Sequence, residues 1–120
     1  MNSIISRGVV VVGLIMLASC VDNSKIFALL RGQYKDDVIW GAIEAGQTKD
    51  TTFIPELLRN AYDFRRSTNS NFYGVTVYQA KMQALEKIFG KSPPKEITYK
   101  PDSAVIRFYS ELARRHQQSK

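Results

Sequence analysis

Residues Gly8 to Ala18, GVVVVGLIMLA, form an uncharged, strongly apolar run that comes after Arg7 and the amino terminus. A basic start leading into an apolar stretch of this length is the pattern of a secretory signal peptide, which is removed from the mature chain. The uncharged stretch ends at Asp22. That is short of the roughly 20 residues a spanning helix needs, so a permanent membrane span is not expected. The fold must therefore be built from the residues beyond this run. In a chain of 120 residues they are enough for one small domain and too few for two independent cores.

Directly behind the apolar run stands Leu17-Ala18-Ser19-Cys20: an aliphatic residue, two small ones, then the only cysteine in the chain. Small residues at the two positions before a cut suit a narrow peptidase cleft. This tetrad resembles the lipobox of bacterial lipoproteins. The resemblance implies that the Cys20 thiol receives a diacylglycerol, that cleavage falls just before it, and that the freed amino group is acylated. Two or three acyl chains, at about 0.8 kcal/mol per buried methylene, hold a protein to a bilayer far more firmly than one. On this reading residues 1–19 are a lipoprotein signal peptide and residues 20–25 a lipidated tether. Residues 26–118 are then the folded domain. Val21 rather than Asp after the cysteine does not match the retention signal of inner-membrane lipoproteins, so the expected address is the cell membrane or the outer membrane, facing periplasm or exterior.

The mature chain reads as a series of short helices. From Ser24, Ile26, Leu29 and Leu30 share a face at helical spacing, and Gly32 can end the turn. Asp36 is placed to cap a helix carrying Val38, Ile39, Ala42 and Ile43, with Gly46 suited to the position past its end. A third segment opens at Asp50-Thr51-Thr52, holds Pro55 in its first turn, and continues through Leu57, Leu58 and Ala61. Residues 63–74 read as a long polar loop; the β-branched and aromatic run Tyr73 to Tyr78 could be a strand, but no second run is available to pair with it. Val77 to Phe89 is the clearest amphipathic helix. Val77, Ala80, Ala84, Leu85 and Ile88 fall on one side; Gln79, Lys81, Gln83, Glu86 and Lys87 fall largely on the other. After Gly90 and Ser92-Pro93-Pro94, Pro101 and Asp102 open a last helix whose buried stripe is Val105, Ile106, Tyr109, Leu112 and Ala113.

Asp50 to Tyr62 with Val77 to Gly90 resembles the paired helices of a HEAT repeat, the second helix matching through Val77, Ala80, Ala84, Leu85, Ile88 and Gly90. Small alanines permit close helix approach while Leu85 and Ile88 supply burial. The long loop from Asp63 to Tyr73 departs from that family, whose helices are joined by tighter turns. Two all-α architectures stay open: a stack of short antiparallel helix pairs of HEAT type, or a small four- or five-helix bundle.

A single histidine and a single cysteine leave no structural zinc site and no intramolecular disulfide; neither a metal nor a cofactor is expected. Phosphate-cradling loops, nucleophile elbows, zinc-protease helices and Cys-x-x-Cys pairs are all missing, so a non-enzymatic role is expected. From Cys20 to Ala80 seven basic side chains balance seven acidic ones, whereas from Lys81 onward nine basic face four acidic, an excess of +5. Lys87, Lys91, Lys95, Lys100, Arg114 and Arg115 are therefore the candidates for binding an anionic partner. Export makes nucleic acid an improbable partner for them. The leading expectation is a membrane-anchored interaction module in the bacterial envelope, tethered through acylated Cys20 and meeting an envelope protein. The alternatives are an envelope binder of anionic lipid or polymer, and an immunity or inhibitor lipoprotein.

Overall fold

The computed structural model describes residues 23–119, and within them the chain is all α, with no strand. Cys20, the signal peptide and the first part of the expected tether lie outside the described residues. Five helices succeed one another: α1 (Asn23–Arg31), α2 (Lys35–Thr48), α3 (Ile54–Leu58), α4 (Val77–Phe89) and α5 (Ser103–Gln118). Short 3-10 turns at Thr51–Phe53 and Ser70–Phe72 precede α3 and α4. Because α1 starts at Asn23, residues 23–25 belong to the fold rather than to the tether.

Helix α2 is the centre of the packing, meeting α4 and α1 more extensively than any other pair of elements meets. Its buried face carries Val38, Ile39, Ala42 and Ala45, and α4 contributes Val77, Ala80, Met82, Ala84 and Leu85 to the same core. Two glycines make the close approaches possible. A Cβ on Gly41 would lie 2.9 Å from the Leu29 Cβ, and one on Gly46 would lie 3.0 Å from the Ala84 Cα. The expectation that Gly46 sits past the helix end is therefore corrected: α2 runs on to Thr48, and Lys49 takes the left-handed conformation at φ 58°. Gly46 serves the close approach to α4, which a one-dimensional capping pattern does not encode. Asp36 is likewise in the first turn rather than at the cap, which is Tyr34 and uses no side-chain bond.

The expected start of the third segment holds: the Asp50 carboxylate accepts the Thr52 N–H at 2.9 Å, and Pro55 occupies the first turn of α3. That helix is only five residues long, so the two halves of the proposed repeat pair are unequal, and α4 leans chiefly on α2. At the last helix Asp102 is the cap itself, accepting the Ala104 N–H at 2.8 Å, and the helix begins at Ser103 rather than at Pro101. Tyr109 from its buried stripe stacks at 6.1 Å on Phe89 and donates its hydroxyl to the Lys91 carbonyl at 2.9 Å.

The polar stretch 63–74 is a loop, as expected, but a tied one. Ser67 N–H donates to Val75 O and Gly74 N–H to Ser67 O, both at 2.9 Å, around a single antiparallel bridge between Arg66 and Thr76. Two further carbonyls, those of Asp63 and Arg65, serve α4. The first N–H groups of a helix have no partner inside it. Here Val77 N–H donates to Arg65 O, Tyr78 N–H to Asp63 O and Gln79 N–H to the Thr76 hydroxyl. Thr76, 2% exposed, also donates its hydroxyl to the Tyr99 carbonyl at 2.7 Å, fixing the chain before α5 to the start of α4.

Candidate functional site

Six large aromatic or tyrosyl side chains are exposed: Tyr34, Trp40, Tyr62, Phe64, Tyr73 and Tyr99. A chain this small buries its aromatics where it can, because each removes a large apolar area from water. Two of the six, Phe64 and Tyr73, stand in or at the end of the loop between α3 and α4, which is tied at two points to the α1–α2 turn and to α2. Arg65, next to Phe64, donates from Nη1 to the Gln33 carbonyl at 2.8 Å, which ties this segment to the turn between α1 and α2. Phe72, next to Tyr73, has its ring centroid 6.2 Å from that of Trp40 on α2. Phe64 and Tyr73 keep 73% and 75% of their surface. Large exposed aromatics are enriched at protein docking surfaces relative to the rest of the surface.

The loop that carries Phe64 and Tyr73 is extensively hydrogen-bonded for its length. The Asp63 carboxylate receives the Arg65 backbone N–H at 3.0 Å and its guanidinium Nη2 at 2.8 Å. Burial pushes the Asp63 carboxyl up, but the bonds and charge of Arg65 outweigh this and hold it below its ordinary value. On the far side of the loop the Arg66 guanidinium lies 4.1 Å over the Tyr99 ring. In the sequence this stretch reads as a polar loop because Ser and Asn are frequent in it. The sequence signal for its exposed aromatics is the occurrence of Tyr62, Phe64, Phe72 and Tyr73 within an otherwise polar segment.

The six basic candidates are all exposed, and the fold does not gather them. Lys95 and Lys100 precede α5 while Arg114 and Arg115 are in its last turns; twelve residues of rise separate Asp102 from Arg114, about 18 Å. Lys95 lies 3.5 Å from the Asp102 carboxylate, and Arg114 lies 2.8 Å from that of Glu111. Lys95 also faces Glu86 and Glu96 across a recess of about 340 Å³. Lys87 and Lys91 stand at the end of α4.

Lys81 overturns its expected place on the solvent side of α4: it is 4% exposed, and its ammonium donates to the Arg59 carbonyl at the end of α3 at 2.7 Å. Desolvation lowers its pKa against the opposing pull of Asp63 and Glu56. The helical pattern left Lys81 outside because it treats charge as exposed, whereas here α3 and its loop close over α4. A small recess of about 80 Å³ opens beside it, between Arg31, Glu56 and Arg59. A second groove, about 310 Å³ and mainly apolar, runs between α3 and the end of α5, with His116 at its wall. Among the described residues no helix is long and apolar enough to cross a membrane.

Comparison with known protein families, with curated proteins and with solved structures finds no match to this chain.

Proposed function

We propose that the chain is a bacterial lipoprotein, anchored to the envelope by acylated Cys20, whose helical domain is a non-enzymatic docking module for an envelope protein. The anchoring half of this reading is supported by Leu17-Ala18-Ser19-Cys20 behind an apolar run. The observation that carries the docking half is the exposure of Phe64 and Tyr73 on the hydrogen-bonded loop between α3 and α4, with Tyr34 and Trp40 exposed on the elements to which that loop is tied. Aromatic side chains fixed in advance lose little conformational freedom on binding, which is why tyrosine and tryptophan dominate the energetics of protein interfaces. Asn23 lies three positions beyond Cys20, so the domain sits close to the bilayer and its partner is a membrane-proximal protein.

The test places a photoreactive amino acid at Tyr73, and separately at Gln118 as a distant exposed control, in cells that make the full chain. The reading expects discrete protein adducts from position 73 that are absent from position 118 and that fall when Trp40→Ala is added. Adducts of equal yield at both positions, or adducts to lipid alone, would contradict it.

A further inference from the structure

Lys81 is a buried cation with one bond. Its ammonium has three N–H donors and gives one to the Arg59 carbonyl. Its surroundings are not neutral either. The recess beside it is lined by Arg31, Arg59, Lys81 and a single carboxylate, Glu56. Glu56 is divided between two partners: Oε1 accepts from Arg31 Nε at 2.8 Å, and Oε2 lies 3.8 Å from Arg59 Nη1. Asp63, the other nearby acid, is taken up by Arg65. Three positive groups thus converge where one negative group is present. Arg31 is held in place, since its guanidinium also lies 4.9 Å over the Phe27 ring.

We propose that this recess binds a small carboxylate, seated between Lys81 and the guanidinium groups of Arg31 and Arg59. Its size of about 80 Å³ is far below the roughly 300–1,000 Å³ of sites for drug-sized ligands, so only a compact group enters. Arginine forks match the planar carboxylate, and a half-dry site strengthens each bond to it. The carboxylate is either that of a free small acid or one presented by a polypeptide, as an acidic side chain or a chain terminus. Burial lowers the proton affinity of Lys81 against the opposing pull of Asp63 and Glu56, so a further anion at the ammonium would be favoured. This inference stands on the described residues alone and does not depend on acylation at Cys20 or on the exposed aromatics.

The experiment titrates the full chain with sodium acetate against sodium chloride at equal ionic strength, reading the backbone amide signals of Arg31, Arg59 and Lys81 by NMR. Saturable shifts with acetate are expected, weakened about tenfold or more in Lys81→Met, as the loss of a charge-assisted bond implies. Arg59→Gln serves as a second variant, because Arg59 is 65% exposed and its replacement leaves the core intact. It too should weaken acetate. A third arm uses a short peptide with a free C-terminal carboxylate and its amidated form. Tighter binding of the free form than of acetate assigns the source to a polypeptide, and equal binding assigns it to a free acid. Identical, unsaturable responses to acetate and chloride, or acetate binding unchanged in both variants, would overturn the proposal and leave a recess filled by water.

Discussion

Replacing Gly41 by alanine sets two effects of known size against each other. Alanine is better than glycine inside a helix by about 0.8–1.0 kcal/mol, so at an open position the substitution stabilises. Gly41 is buried, and an added Cβ would meet the Leu29 Cβ at 2.9 Å, the Leu30 backbone nitrogen at 3.1 Å and the Leu30 Cγ at 3.2 Å. Two of these atoms belong to the backbone or its first side-chain carbon, so α1 must move as a body to relieve the contact. Overpacking of this kind costs about 1–3 kcal/mol. The net expectation is destabilisation by roughly 1 kcal/mol, which in a domain of this size lowers Tm by about 4–8 °C. Urea unfolding monitored by circular dichroism measures it, with the midpoint falling and the slope unchanged. Gln47→Gly, on an exposed position of the same helix, measures the propensity effect alone and should itself destabilise by just under about 1 kcal/mol. A Gly41→Ala protein more stable than wild type would refute the close approach of α1 to α2.

Thr76→Val removes both the cap on Gln79 and the buried bond to the Tyr99 carbonyl, and should destabilise by about 1–3 kcal/mol in the same urea assay, while Thr76→Ser keeps most of that stability. A larger loss in Thr76→Ser than in Thr76→Val would show that the methyl, not the hydroxyl, matters. Lys81 supplies a pH dependence: its folded pKa is below its ordinary value of 10.5, so between the two the unfolded chain binds more protons and this group makes stability rise with pH. The stability difference between wild type and Lys81→Met should therefore shift in favour of wild type as pH climbs through that window towards 10.5, and a flat difference would contradict the assignment.

Most of the helical order was legible because it rests on short-range chemistry. Pro55 and Gly90, and the apolar spacing of Val77, Ala80, Ala84 and Leu85, act within one or two turns, and each holds its expected place. What was not legible depends on contacts between elements distant in sequence. Gly46 reads as a helix stop until Ala84 is seen against it, and Lys81 reads as solvent-facing until the Arg59 carbonyl closes over its ammonium. Residues 63–74 read as a loop, yet its order comes from bonds to Val75 and Val77 and from Arg65 reaching Gln33 across the surface. The exposed aromatics could be counted in the sequence, but the exposure of Phe64 and Tyr73 belongs to that loop geometry and could not be read there. The basic candidates show the reverse. Their excess was countable, but it is spread from the end of α4 to the last turns of α5 and partly neutralised by Asp102 and Glu111.

The central claim, that the domain is held to a membrane through Cys20, is tested most directly by the intact mass of the chain recovered from the membrane fraction of a bacterial host, beside Cys20→Ser. The account predicts that wild type lacks residues 1–19, carries added acyl mass on a 101-residue chain (120 − 19) and stays with the membrane, while the variant does none of these. Wild type and variant cleaved alike, without acyl mass and both soluble, would contradict it and leave a free secreted helical domain.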